Sequence, residues 1–322
     1  MWALLLVLGL AGCKAGSRPP GGTAQEPSPQ IGARPSNARS AGDASAPVAA
    51  SPWANWPMPN PVGSGLPNPQ SYDTSTAGVV SDRVTGLMWQ GMANTTGMYW
   101  PAARTYCQDL TLGGHDDWRL PSLIELVSLV DTSRTNPAID GAAFSKPVGG
   151  TVWTATPIFP SQDEAWYVSF NTGFTYHGHG NLLPIDVRCV RSGRANPAAG
   201  RYAFAAGEAT VSDQLTGLVW QRAVDGTTRS WQDAGKYCGT LAGAAGGGNW
   251  RVPSVKELQT ILDLGRQSPA LDLAVFPGSP GEQYWTSSAL AGSTTDAWSV
   301  NFSLGVTNPG PRDSLDFVRC VH

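Results

Sequence analysis

Charge is scarce in this chain. Asp, Glu, Lys and Arg make up 14% of its 322 residues, against about 25% in an average globular domain. With 38 Gly and 26 Pro, the composition describes a loop-rich globular protein and excludes a helical bundle. A basic surplus is missing too. Residues 71–193 carry a net −4 (7 basic, 11 acidic) and residues 194–322 a net −1 (10 basic, 11 acidic), while residues 14–70 carry +2 (4 basic, 2 acidic). Phosphate backbones demand clustered Lys and Arg, so nucleic acid is not an expected partner. Catalytic signatures are absent as well. No GxSxG, HExxH or P-loop occurs, and residues 194–322 hold a single His, the terminal His322. No enzymatic activity is expected from such a set. The longest apolar run near the start, residues 3–10, is too short to span a bilayer.

That run instead reads as the core of a signal peptide. It leads into "LAGC" (10–13), which resembles the bacterial lipobox, although no Lys or Arg precedes the apolar stretch. The resemblance makes residues 1–13 a lipoprotein signal ending at Cys13, the lipidation site, and the lipid the chain's only contact with the membrane. Lys14 in place of an Asp favours delivery to the outer membrane or the cell surface. Residues 14–68 are dominated by Pro, Ala, Gly, Ser and Asn, too poor in apolar surface to offset the entropy of ordering. They are expected to form a disordered tether, reaching roughly 40 Å as a flexible coil. Trp53 and Trp56 are read with that solvated linker, docking on a domain being the alternative.

From about residue 70 the chain repeats itself. "VVSDRVTGLMWQ" (79–90) returns as "TVSDQLTGLVWQ" (210–221), and "WPAARTYCQDL" (100–110) as "WQDAGKYCGTL" (231–241). "DDWRLPSLIEL" (116–126) returns as "GNWRVPSVKEL" (248–258), and "AWYVSFNTG" (165–173) as "AWSVNFSLG" (297–305). "VRCV" closes both units at an offset of 131, within one residue of the other blocks. This is a tandem duplication, with domains at 69–193 and 194–322. Each unit holds five Trp within repeated blocks, all expected to pack in or against the core. Cys107 and Cys189 are 82 positions apart, as are Cys238 and Cys320. Identical spacing in an exported chain argues for one disulfide per domain, worth roughly 4 kcal/mol by loop closure.

Local signals place the motifs. Asp-x-x-Thr-Gly between apolar residues suggests a hairpin. Trp100, Ala103, Cys107 and Leu110 recur at helical spacing. Ser122 with Glu125, and Ser254 with Glu257, form capping boxes behind Pro121 and Pro253. Arg119 and Arg251 read as struts, pairing with a buried carboxylate for which Asp82 and Asp213 are the candidates.

These blocks, "TGLMWQ", "YC", "WRLPS..EL", "WTAT", "AWYVSF" and "RCV" in fixed order, resemble the Lcl C-terminal domain family, named after a collagen-like surface adhesin. The resemblance covers nearly all of residues 75–322. It implies a fold related to C-type lectins and formylglycine-generating enzymes: α+β, two helices, twisted antiparallel sheets, and a disulfide joining the first helix to the last strand. The chain is accordingly read as two tandem C-type-lectin-like domains. The family further implies adhesion and the binding of sulfated glycans. Neither unit has the basic cluster such polyanions need, and the EPN, QPD and WND sugar motifs of calcium-dependent lectins are missing.

Specificity is expected where the copies differ most, in "NTGFTYHGHGNLLPID" (171–186) and "SLGVTNPGPRDSLD" (303–316). The candidate ligand-binding residues there are Tyr176, His177, His179, Asn181, Asn308 and Arg312. His177 and His179 form a possible metal pair if Asp163, Glu164 or Asp186 joins them. No cofactor is expected, although a structural calcium fits loops of this kind. The expected function is that of a surface-exposed, lipid-anchored adhesion module recognising a glycan or other envelope polymer. The alternatives are a structural protein–protein component of an envelope assembly and, further off, a formylglycine-generating-type enzyme.

Overall fold

A computed structural model describes residues 52–145, 150–192, 200–204, 209–241 and 249–322. Cys13, Lys14 and the tether up to residue 51 lie outside the described residues. In the first copy, β1 (Tyr72–Asp73), β2 (Val79–Asp82), β3 (Leu87–Gln90) and β4 (Asn94–Met98) precede α1 (Trp100–Gln108) and α2 (Leu123–Ser128). Then come β5 (Thr151–Pro157), β6 (Glu164–Ser169), β7 (Thr175–His179), β8 (Ile185–Val187) and β9 (Val190–Ser192). The second copy runs β10 (Tyr202–Phe204), β11 (Thr210–Asp213), β12 (Val219–Gln221), α3 (Trp231–Thr240), α4 (Val255–Gln259), β13 (Gln283–Ala289), β14 (Asp296–Asn301) and β15 (Thr307–Pro311).

The first copy builds a small sheet, β1-β2-β3-β9, and a larger one, β4-β8-β5-β6-β7. The second repeats the pattern as β10-β11-β12 and β13-β14-β15. Strand pairing is antiparallel except between β5 and β8, which run parallel, so the larger sheet is mixed rather than wholly antiparallel as expected. The β2–β3 hairpin forms where the sequence places it. Asp82 Oδ1 accepts the N–H groups of Val84 (2.8 Å) and Thr85 (3.2 Å), and Gly86 takes φ +72°, a conformation suited to glycine. Both capping boxes are present: Glu125 and Glu257 each accept the N–H of their Ser at 2.8 Å.

Tryptophan dominates the cores. Trp89, Trp118, Trp153, Trp166, Trp220, Trp285 and Trp298 are almost fully buried, Trp100 and Trp250 nearly so, and Trp231 half-buried. Four donate their indole N–H to matching carbonyls: Trp100 to Thr154 and Trp153 to Met98, Trp231 to Thr286 and Trp285 to Arg229, at 2.7–2.8 Å. Disulfides join Cys107 to Cys189 and Cys238 to Cys320, pinning α1 and α3 to their closing segments.

Two expectations are corrected. The struts pair elsewhere: Arg119 forks onto Glu125 (2.6 and 2.7 Å), and Arg251 onto Glu257 (2.7 and 2.8 Å). A Glu already held at the helix N-terminus, six residues on, presents both oxygens to the guanidinium, whereas Asp213 is taken by Arg201 (2.7 Å). The segment from Pro52 to residue 68 is not a free tether. Ala54, Trp56 and Met58 are buried in the first copy's core. Asn60, fully buried, accepts from Ser254 Oγ of the second copy (3.0 Å) and donates to Pro67 O (2.8 Å). Three apolar side chains at alternating positions overcome a Pro- and Asn-rich composition. Residues 52–70 act as a strap.

The copies pack around a quasi-two-fold axis. Thr175 and Thr307, equivalent residues, exchange bonds: each N–H donates to the other's Oγ1 (3.1 and 3.2 Å). Phe174 crosses to the second core, edge-on to Trp298 at 4.8 Å. Val306, its counterpart, packs on the first. Leu264 touches both cores. Helices α2 and α4 face each other across the seam, which explains why α2, only six residues long, is buried throughout.

Candidate functional site

Most of the repeated motif residues are framework. Gln90 donates to the Tyr106 hydroxyl (2.9 Å) and accepts the N–H of Cys189 (3.1 Å). Gln221 does the same with Tyr237 and Cys320. Arg188 and Arg319, the cations of "VRCV", are fully buried, a role that sequence reasoning missed. Arg188 donates to the carbonyls of Gln90 (2.6 Å) and Gly91 (2.8 Å) and lies over Phe144. Arg319 donates to the carbonyl of Arg222 (2.7 Å) and lies over Phe276. Burial lowers both pKa values to about 10. The signal was present: an Arg repeated between apolar residues and beside a bridged Cys is badly placed for solvent.

The divergent segments are strands rather than loops. The tract 171–186 contains β7, paired along β6 with Tyr167 opposite Tyr176, Trp166 opposite His177 and Glu164 opposite His179. Strand alternation splits the candidates. Tyr176 stands on one face, 41% exposed, its ring 5.7 Å from that of Tyr167. Leu183 folds back over Gly178 beside Tyr167, and Leu182 is 69% exposed. The phenols of Tyr167 and Tyr176 are pushed up by burial. His177 and His179 stand on the opposite face, beside Glu164 at 3.1 and 3.5 Å. Of the three carboxylates considered for them, Glu164 is the neighbour. His177 Nδ1 is hydrogen-bonded to Glu164 Oε2, while His179 Nε2 only approaches Oε1. Among the described residues no group of three or more His, Cys, Asp or Glu could hold a metal ion. Asn181 is exposed in the turn after β7.

The second copy presents other chemistry. Asn308 lies on β15 opposite Ser299, whose hydroxyl donates to the Asn308 carbonyl (3.0 Å). These two stand where the first copy has Tyr176 and Tyr167. Arg312 stacks 4.4 Å over Trp231 and donates to the Asp296 carbonyl (3.2 Å). Its counterpart is Gly180, where a Cβ would meet Trp100 Cβ at 2.9 Å. The six candidates therefore form no single pocket: Tyr176 contributes to an aromatic face, the two His sit behind it, and Asn308 and Arg312 belong to the other copy.

The fold is thus a duplicated, mostly β module with short helices, antiparallel hairpins and two disulfides, its differences concentrated at the sheet edges. The Lcl C-terminal domain family matches residues 78–191 and again 209–322, and the chain belongs to that family, in tandem. No curated protein matches the sequence. Among the described residues no helix is long and apolar enough to cross a membrane.

Proposed function

We propose that the protein is a lipid-anchored envelope protein, held at the outer membrane or cell surface by Cys13, and that its paired C-type-lectin-like domains form a non-catalytic binding module. Its ligand class is a glycan or another surface polymer. One observation carries the reading: the part-exposed Tyr167–Tyr176–Leu183 face of the first copy, mounted on a sheet held by a disulfide, has Ser299 and Asn308 in place of its two Tyr in the second. A shared scaffold with one aromatic face suits a recognition surface. The pairing of all four domain cysteines weighs against thiol chemistry.

A protein partner is the second reading, favoured by Leu182, exposed next to that face. A glycan array probed with the Cys13→Ser chain, beside the same chain carrying Tyr176→Ala, separates the two. Glycan binding weakened by Tyr176→Ala supports the first reading. A blank array, with a specific protein partner recovered by cross-linking at Tyr176, overturns it in favour of the second.

A further inference from the structure

The quasi-two-fold axis relates two clefts at the seam between the copies, and the strap runs past both. One, of about 310 Å³, is lined by hydroxyl groups, among them Ser64, Thr132, Ser133 and Ser288. The other, of about 240 Å³, is lined by Trp53, Thr156, Phe159, Gln162, Asp263 and Leu264. Their floors match. Thr156 Oγ1 accepts the N–H of Leu123 (2.9 Å), and Ser288 Oγ accepts that of Val255 (3.1 Å). Their walls do not: Leu264 stands where the first copy has Thr132, and Trp53 and Phe159 supply aromatic surface to one cleft alone.

We propose that the Trp53–Phe159 cleft binds one ring of a neutral saccharide. Its volume falls just below the range of drug-sized pockets, about 300–1,000 Å³, the scale of a single ring. The Trp53 ring is braced and the backbone that carries Phe159 is tied down. Arg201, anchored by Asp213 and by the Thr260 carbonyl (2.7 Å each), lies 4.7 Å over the Trp53 ring. Phe159, 47% exposed, has its carbonyl held by the Gln267 amide. Rigid aromatic rings suit the C–H face of a sugar. The Gln162 amide, the Thr156 hydroxyl and the Asp263 carboxylate provide donors and acceptors for its hydroxyls. Among the described residues no Lys or Arg lines the cleft, and its carboxylate, Asp263, is already bonded by Arg266 Nε (2.7 Å) and the Gly265 N–H (3.1 Å). The cations beside the cleft, Arg201 and Arg266, are each already bonded to an Asp, which favours a neutral ring over an anionic or sulfated one.

This inference rests on the reading of the chain as a glycan-binding module and assigns that module a second site, away from Tyr176. The test is saturation-transfer NMR on the full chain in a zwitterionic detergent, with methyl glucoside, methyl galactoside and methyl mannoside as probes. Transfer to at least one hexoside is expected. It should fall at least tenfold in Trp53→Ala and in Phe159→Ala, persist in Tyr176→Ala, and survive an excess of a sulfated hexasaccharide. Phe159 is exposed, so its variant keeps the test valid if Trp53→Ala unfolds. No transfer to any hexoside, unchanged transfer in Phe159→Ala, or displacement by the sulfated competitor overturns the site. If the glycan array is positive in any of those cases, the general reading stands and only the cleft is wrong; a blank array alongside absent transfer removes both.

Discussion

Replacing Lys256 by Ile, the residue that occupies the equivalent position 124, is expected to stabilise the protein at pH 6. Lys256 sits on α4 at 1% exposure, inside the seam. Its Nζ donates to the Ser128 carbonyl (3.2 Å) at the C-terminal end of α2, where carbonyls favour a cation. Asp131 and Asp82 of the first copy, and Glu257 of its own helix, also favour the charged form. Burial outweighs them and lowers the pKa from 10.5 to about 7. The unfolded chain keeps this proton up to about pH 10.5, while the folded one releases it from about pH 7. Stability attributable to Lys256 therefore rises with pH between those values and is flat below them. The full penalty, present below pH 7, has an upper bound of about 5 kcal/mol. Losing the bond to Ser128 offsets about 1–3 kcal/mol of it. The net expectation is a gain of up to about 2–4 kcal/mol at pH 6 that vanishes by pH 10. Asp82, whose pKa burial raises, acts in a lower window: its contribution is lost as pH climbs from 3.8 through its folded value. Urea unfolding of both proteins at pH 6, 8 and 10 reads the difference. An Ile variant less stable than the parent at pH 6 would refute the reasoning, as would a parent whose stability does not rise between pH 7 and 10.

Trp56→Ala removes a nearly fully buried indole from the strap and is expected to cost about 3–5 kcal/mol in urea unfolding; a loss under about 1 kcal/mol would return residues 52–68 to the tether. Arg119→Met leaves Glu125 buried without its cation, at an expected cost of about 3–5 kcal/mol, and a double-mutant cycle with Glu125→Gln should show a coupling above about 1 kcal/mol. Thr175→Val strands the Thr307 N–H at the axis, for about 1–3 kcal/mol. Adding Thr307→Val should cost less than the sum of the two single changes, because the hydroxyls serve one exchange; calorimetry of the three variants decides.

Much of each copy was legible because framework recurs with the fold. Spacing alone paired the cysteines, and the hairpin and the capping boxes declared themselves through Asp82–Gly86 and Ser122–Glu125. The strut was legible only in part. Arg119 does bind a carboxylate, but one within its own motif: Glu125 serves the cap and the guanidinium at once, a double role that S-x-x-E spacing does not reveal. The strap was hidden by composition: Pro, Asn and Ser mask Ala54, Trp56 and Met58, whose alternation acquires meaning only beside a core. In the candidate site, Tyr176 and the imidazoles look like neighbours in sequence, yet a period-2 strand sends them to opposite faces.

The seam could not be read from either copy alone, and this alters how divergence between them should be interpreted. Two unlike residues at equivalent positions suggest either a free surface or a specificity site. Ile124 and Lys256 are neither: both are buried where α2 meets α4. Lys256 reaches across to the carbonyl of Ser128, a bond that Ile124 cannot make to the equivalent Thr260. The same holds for Phe174 and Val306, each seated in the other copy's core. Duplication followed by divergence at the axis thus ties each copy to its neighbour in the chain. The exchange of Tyr176 for Asn308, on the strand beside the axis but facing solvent, seats neither residue in the other copy's core, which is why recognition is sought there and in the unlike clefts.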